Sequence, residues 1–251
     1  MNIRQIRNAT LVIHYADRKF LIDPFLADKG TMPPFPNTPN QVHNPLVSLP
    51  TSLEEITQVD AVIVTHLHPD HFDEAAKKVL PKDIKIYAQN EKDADAIKKE
   101  GFHNVEALTK GISIGGISLI RTNGKHGTGE IGTMMGEVSG VVFKHPNEKT
   151  LYIAGDTIWC SDVQDAIKTH KPEVIVVNGG AAQFLLGDPI IMTKEDIYET
   201  YMNAQHSTII VSHMETVNHC LLTRKELKAF IDEKELSGHI LVPDDGQSYS
   251  F

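Results

Sequence analysis

The chain has 251 residues, 41% of them hydrophobic, and its net charge of −9 without a Lys/Arg block disfavours nucleic acid as a partner. No apolar run reaches the roughly 20 residues of a membrane span, and the first residues lack the sections of a signal peptide, which predicts a cytoplasmic protein without a membrane partner. Two cysteines indicate no disulfide framework.

The N-terminal part is rich in strand patterns. Residues 10–15 and 19–23 predict a hairpin around a polar turn. Residues 30–50 contain six prolines, a density that excludes a helix or a central strand. Loops of about 20 residues are uncommon in compact domains unless they serve a function. This segment, the Pro-rich loop, is therefore either a lid at an active-site mouth or a surface insertion.

After this loop, apolar runs alternate with helical patterns. Residues 59–66 are typical of a strand covered on both faces, and 69–80 have helical spacing with Pro69 suited to the first turn. Further strands are predicted at 84–88, twice within 112–122, and at 150–157, 173–180 and 207–214. Further helices are predicted at 91–101, 161–170, 193–204 and 223–235, with caps at Ser161 and Thr193. The order predicts mixed sheets with helices outside, in one domain over 1–251.

The stretch THLHPDHF, residues 65–72, concentrates metal-ligand side chains where a predicted strand ends. His66 and His68 are two apart, so in extended backbone they point the same way. Asp70 and His71 would follow at the start of the next helix. Three such ligands and an open position are typical of a hydrolytic metal site. A hydrated, His-rich turn is the alternative.

Further candidate metal ligands follow the other predicted strands. His126 lies in a Gly-rich loop after the strand that ends near residue 122, and Asp156 ends a later strand, where its carboxylate could bridge two ions. A helix-capping aspartate is the alternative for Asp156. His213 ends another apolar run. His219, six residues later, is a candidate for contact with the substrate.

Several residues could contact an anionic substrate. Lys125 stands beside the candidate ligand His126, although an exposed lysine is the alternative. Gly179, Gly180 and Gln183 lie in a loop whose amides could receive an anion, or which could be only a tight connection.

The order of THLHPDH, His126, GDT with Asp156 and a histidine after a late strand resembles the metallo-β-lactamase-fold hydrolases over essentially the whole chain. The resemblance implies an α/β fold, a four-layer αββα sandwich of two mixed β-sheets flanked by helices, with a dinuclear metal site. The first metal would be held by His66, His68 and His126. The second would be held by Asp70, His71 and His213, with Asp156 bridging. Asp23 in LIDPF would support the ligands from behind.

The motifs LIDPF, GDT and SHME, with the loop over 178–193, are similar to those of the L-ascorbate-6-phosphate lactonase-like group. The resemblance implies two divalent metal ions, zinc or manganese with iron as an alternative, and a metal-activated hydroxide oriented by Asp70 as base. The expected substrate is a small anionic metabolite with an ester, lactone or phosphate group. The alternatives are a phosphodiesterase and a metal-binding scaffold or sensor without efficient catalysis. A homo-oligomer stays open.

Overall fold

A computed structural model describes residues 1–109 and 111–251. The elements of the N-terminal half are β1 (Asn2–Arg7), β2 (Thr10–Tyr15), β3 (Arg18–Ile22), α1 (Leu53–Thr57), β4 (Ala61–Val64), α2 (Glu74–Val79), β5 (Lys85–Ala88), α3 (Glu91–Lys99), β6 (Val105–Ala107), β7 (Ile112–Ile114) and β8 (Ile117–Asn123). Those of the C-terminal half are α4 (Gly129–Met135), β9 (Ser139–His145), β10 (Glu148–Ile153), α5 (Ser161–His170), β11 (Val174–Asn178), α6 (Lys194–Met202), β12 (Thr208–Ser212), α7 (Arg224–Glu233), β13 (Ile240–Leu241) and β14 (Ser248–Ser250).

The strands form two sheets of seven strands each. Their spatial orders are β14-β1-β2-β3-β4-β5-β6 and β13-β12-β11-β10-β9-β8-β7. Strands β3 to β6 run parallel to one another, as do β10 to β13, while the remaining neighbours are antiparallel. Both sheets are therefore mixed, and the predicted sandwich is confirmed.

The hydrophobic side chains form layers between the sheets and outside them. Phe20 of β3 and Phe143 of β9 meet between the sheets, with ring centroids 5.2 Å apart. Strand β4 is buried on both faces, because Ala61 and Ile63 face the other sheet while Val62 and Val64 pack towards the helices. An uninterrupted apolar run is the pattern that such a strand requires.

The helix predicted over 69–80 starts later than expected. Its first residue is Glu74, so the placement of Pro69 in the first turn is wrong. Asp73 is the N-cap, and its Oδ1 accepts a hydrogen bond of 2.7 Å from the Ala76 amide. This cap fixes the start of the helix because it satisfies an otherwise free amide. The candidate metal ligands before it lie in a turn.

Other local predictions have mixed outcomes. Thr193 caps α6 in a capping box with Asp196, as predicted, but the N-cap of α5 is Cys160 and not Ser161. Strands β1, β6, β9, β13 and β14 and helices α1 and α4 were not predicted. Three of these strands have only two or three residues, too few to show a period.

The Pro-rich loop contains no helix or strand between 30 and 50, apart from an isolated pairing of Met32 with Asn44. Among the described residues, no helix combines the length and apolar character that crossing a membrane would need.

Candidate metal centre

The predicted metal ligands lie in loops at the carboxyl ends of strands from both sheets. The first sheet contributes the turn at 66–71, which follows β4. The second sheet contributes His126 after β8, Asp156 after β10 and His213 after β12. Strands that run in one direction end at the same edge, where α/β folds place their sites. The structure thus brings together all seven predicted metal ligands.

The ligand atoms form three groups, and within each group they lie within 4.8 Å of one another. The groups are His66 with His68 and His126, Asp70 with His71 and His213, and His66 with His71 and Asp156. The first two correspond to the two ligand sets that the resemblance implies.

Asp156 lies between these two sets. Its Oδ2 is 3.5 Å from His126 Nε2, 3.7 Å from His213 Nε2 and 3.1 Å from His71 Nε2. A single carboxylate close to both sets is the arrangement that a bridging ligand needs. Its other oxygen, Oδ1, accepts a hydrogen bond of 2.7 Å from the Asn178 side chain, which fixes the orientation of the carboxylate.

Hydrogen bonds behind the site orient the rings of two histidines. His126 Nδ1 donates to the Ile190 carbonyl at 2.8 Å, and His71 Nδ1 donates to Asp23 Oδ2 at 2.9 Å. Each ring therefore presents Nε2 to the centre. Such partners orient metal-binding imidazoles and raise their basicity.

His66 belongs to the same network. Thr65 Oγ1 donates to Asp23 Oδ2 at 2.7 Å, so its lone pair can accept a bond of 3.2 Å from His66 Nδ1. The Nε2 of His66 is then a buried acceptor without a partner among the residues that the structure describes. Buried polar atoms are normally paired, and a divalent cation would satisfy this one. The donor set therefore fits a metal ion.

Asp23, which the resemblance predicts to support the ligands, lies behind His71 and bonds to its ring. Besides His71 and the Thr65 hydroxyl, it accepts a bond of 2.7 Å from the Thr65 amide. Its φ is +44°, and that of His213 is +58°, a region that non-glycine residues seldom occupy. Backbone strain of this kind clusters at functional sites.

The charges of the centre are strongly interdependent. Burial opposes ionisation of Asp70 and Asp156, but His71 and His213 hold both carboxyl pKa values well below their usual range. Burial likewise opposes the charge of His71, yet Asp156 and its neighbouring carboxylates raise the pKa of His71 to about 10. In the metal-free protein, positive imidazolium thus neutralises the carboxylates. A metal ion would take over this role after displacing the proton.

Two asparagines at the site were not predicted. Asn178 ends β11 at the same edge as the ligands, so the rule of strand ends could have selected it. Asn8 lies in the turn after β1, and its Nδ2 donates to Asp70 Oδ2 at 3.1 Å. Its carbonyl accepts a bond of 2.9 Å from the His213 amide. A lone asparagine between two strands signals a turn and gives no other warning of this contact.

A cavity of about 260 Å³ opens over the centre. Asp70, Asp156, His68 and His126 line one part of it. The rest of its lining consists of Phe35, Pro69, Met135, Phe184, Ile190 and His219. None of the described residues that line it is lysine or arginine. Three larger surface hollows, of about 610, 530 and 280 Å³, contain none of the predicted ligands.

Of the predicted substrate-contacting residues, only His219 lines this cavity. Lys125 is exposed and lies outside the lining. Gln183 also lies outside it, and its side chain donates to the Gly187 carbonyl at 2.7 Å.

The two glycines predicted to receive an anion stand at closely packed positions. The Gly179 amide already donates to the Ser212 carbonyl at 3.0 Å, and a Cβ at Gly179 would lie 2.5 Å from Val211 Cγ1. A Cβ at Gly180 would lie 2.3 Å from the His213 carbonyl oxygen. The absence of side chains lets the segment that follows β11 approach its neighbours closely.

The Pro-rich loop is fixed beside the cavity by Asn218. The buried Asn218 side chain accepts a bond of 2.9 Å from the Phe35 amide and donates to the Phe35 carbonyl at 3.1 Å. It also donates to Thr38 Oγ1 and to the Asn40 carbonyl, both at 2.6 Å, and accepts from Asn44 Nδ2 at 2.9 Å. The loop thereby contributes Phe35 as a cavity wall.

We expect Asn218→Ala to lower the free energy of unfolding by about 3 kcal/mol, because it leaves several buried polar groups of the loop without partners. Urea unfolding measures this change, and protease cleavage within 30–50 should become faster. The matched variant Asn40→Ala removes a side chain that accepts a hydrogen bond from the Val42 amide, and should cost less than about 1 kcal/mol. Equal stability of the two variants would contradict the anchoring role of Asn218.

Known proteins are similar to this chain in sequence and in fold. The family described as the β-lactamase superfamily domain matches residues 18–214. UPF0173 protein YddR of Bacillus subtilis (strain 168) is 58% identical over 254 residues, which cover 100% of each chain. The UPF0173 metal-dependent hydrolase Acid345_3437 of Koribacter versatilis (strain Ellin345) is 29% identical over 194 residues, 73% of this chain and 78% of the relative.

A solved structure is also close. The crystal structure of an isothiocyanate hydrolase from Delia radicum gut bacteria matches with a TM-score of 0.97 and 45% identity, over 100% of this chain and 99% of that one. The chain therefore belongs to the β-lactamase superfamily, and within it to the UPF0173 family of metal-dependent hydrolases.

Proposed function

We propose that the protein hydrolyses small, uncharged electrophiles of the isothiocyanate class at a centre of two divalent metal ions, zinc or manganese. The observation that carries this proposal is the cavity, which combines a floor of metal-type ligands with apolar walls and no lysine or arginine among its described lining residues. Such walls suit an apolar organic group better than an anion. The similarity to an isothiocyanate hydrolase supports the same substrate class.

The chemistry required is the addition of water to an electron-poor carbon. Divalent cations held by the three groups of ligands would supply Lewis acidity, which makes water nucleophilic near neutral pH and polarises the substrate. Asp70 lines the cavity, and its Oδ2 is held by Asn8 at 3.1 Å and His213 at 3.2 Å. This carboxylate would orient the attacking water and accept its proton.

The products follow from the atoms. One water adds its oxygen to the central carbon of R–N=C=S, and its two protons pass to the nitrogen as the carbon–nitrogen bond breaks. The products are an amine and carbonyl sulfide. Phe35 and Phe184 would contact the organic group R, while Asp156, fixed by Asn178, would stay in place through the reaction.

Hydrolysis of an ester or lactone is the second candidate. It is favoured by the similarity of LIDPF, GDT and SHME to the lactonase-like group, and it uses the same water and the same carboxylate. It predicts turnover of lactones in preference to isothiocyanates. The sequence led us to expect a phosphate-bearing or other anionic substrate. The negative charge of such a substrate would have to be balanced by the metal ions alone, because no lysine or arginine is among the described residues that line the cavity.

The test uses the purified, zinc- or manganese-loaded protein with benzyl isothiocyanate, followed by loss of its ultraviolet absorbance and by release of benzylamine. We expect turnover that is lost in His66→Ala and retained in the matched variant His14→Ala, whose side chain is exposed on β2. Turnover of lactones or esters without turnover of isothiocyanates would favour the second candidate. Metal binding without turnover of isothiocyanates, lactones or esters would favour a metal-binding sensor.

A further inference from the structure

His219 is a buried polar side chain that belongs to neither set of metal-type ligands. It is 7% exposed and lines the cavity with Asp70 and Asp156. Its Nδ1 has no hydrogen-bond partner among residues 1–109 and 111–251. Buried ring nitrogens in native proteins are normally paired. A molecule bound in the cavity could supply the missing hydrogen-bond partner of this atom.

Two aromatic rings hold the imidazole in place. Phe35 meets it edge to face with centroids 4.7 Å apart, and Phe184 stacks on it at 5.9 Å. The backbone is fixed as well, because the His219 carbonyl accepts a bond of 3.0 Å from the Gln183 amide and Asn218 anchors the Pro-rich loop. The ring is therefore rigidly placed between the two loops that form the cavity walls.

The charge state of the ring suits hydrogen bonding. Burial lowers the pKa of His219 to about 4, so the imidazole is neutral at pH 7. A neutral imidazole offers one N–H donor and one acceptor nitrogen. Between the apolar rings of Phe35 and Phe184, a hydrogen bond from such a donor is stronger than it would be in water.

We propose that His219 is a substrate-binding residue, which donates a hydrogen bond to the heteroatom that gains negative charge as the neighbouring carbon is attacked. The inference rests on the proposed function, because it assigns the reacting end of that substrate to the space between His219 and the metal-type ligands. The two phenyl rings then hold the imidazole in the orientation that this bond requires. Bonds that strengthen as charge develops accelerate the reaction.

A pair of variants separates this role from packing. His219→Phe keeps an aromatic ring between Phe35 and Phe184 but removes the donor, while His219→Asn keeps an amide nitrogen near the position of Nδ1 but loses the ring. We expect the Phe variant to lower kcat/KM for benzyl isothiocyanate at least about tenfold and the Asn variant to retain more activity, with metal content unchanged in both. A Phe variant as active as wild type, or less impaired than the Asn variant, would overturn the inference.

A binding measurement makes the outcome independent of turnover. Phenylacetonitrile is uncharged, similar in shape to benzyl isothiocyanate and carries an acceptor nitrogen, and calorimetry with the metal-loaded full chain gives its Kd. We expect the Phe variant to bind it about tenfold more weakly than wild type and the Asn variant. If the Phe variant binds phenylacetonitrile more weakly but the protein does not turn over isothiocyanates, only the proposed function is refuted. Turnover with no difference between the variants, or no binding by wild type, refutes the role of His219.

Discussion

Replacing Asp156 by Asn is expected to reduce kcat roughly a thousandfold and to lower the number of metal ions bound per chain. Its Oδ2 lies within 3.9 Å of the Nε2 atoms of His66, His71, His126 and His213, so this one carboxylate faces both ligand sets. An amide there carries no negative charge, and it would place either a neutral oxygen or an N–H group against these nitrogens. The positive charge of two ions would then be poorly balanced.

Elemental analysis and steady-state kinetics measure the two parts of this prediction. Asp165→Asn is the matched control, because it makes the same chemical change at an exposed position of α5 and should leave both values unchanged. The far-ultraviolet circular dichroism of both variants shows whether they are folded. Full metal content and near-normal kcat in the Asp156 variant would exclude a bridging role.

Loading the metal-free protein with zinc is expected to raise its Tm by roughly 10 °C, and a chelator should reverse the change. The ligands are drawn from positions as distant as His66 and His213, so the unfolded chain offers no comparable site. An ion present at about a thousand times its Kd stabilises the folded state by about 4 kcal/mol when the unfolded state does not bind it. For a chain of this size, each kcal/mol corresponds to about 2–4 °C.

Differential scanning calorimetry with and without zinc measures this shift. His66→Ala should show less than half of it, because His66 belongs to two of the three groups of ligands, while the exposed His14→Ala should show all of it. A wild-type Tm that does not respond to zinc or manganese would contradict a metal centre at these residues.

The sequence was most informative where a rule of topology could be applied. Apolar runs that end in His, Asp or Gly-rich loops predicted which positions meet at the sheet edge, and the structure places His126, Asp156 and His213 beside the 66–71 turn. Asn8 escaped this reasoning because its contact with Asp70 joins residues 62 positions apart through a turn with no distinguishing pattern. Such contacts depend on how the two sheets pack.

The character of the substrate was harder to infer for a related reason. Gly179 and Gly180 suggested an anion site, since glycine lets backbone amides approach a ligand. The structure uses these glycines to bring strands and loops into close contact, and the Gly179 amide is already occupied. The apolar walls come from Phe35 and Phe184, in loops with no periodic pattern.

The construction of the cavity separates two kinds of evolutionary change. The metal-type ligands are mounted on the ends of buried strands, whereas Phe35 and Phe184 are carried by the Pro-rich loop and the loop after β11. Substitutions in these two loops can reshape the space above the centre without shifting its ligands. Relatives with the same sheets could in this way differ in the molecules they bind while they keep the same metal-type ligands.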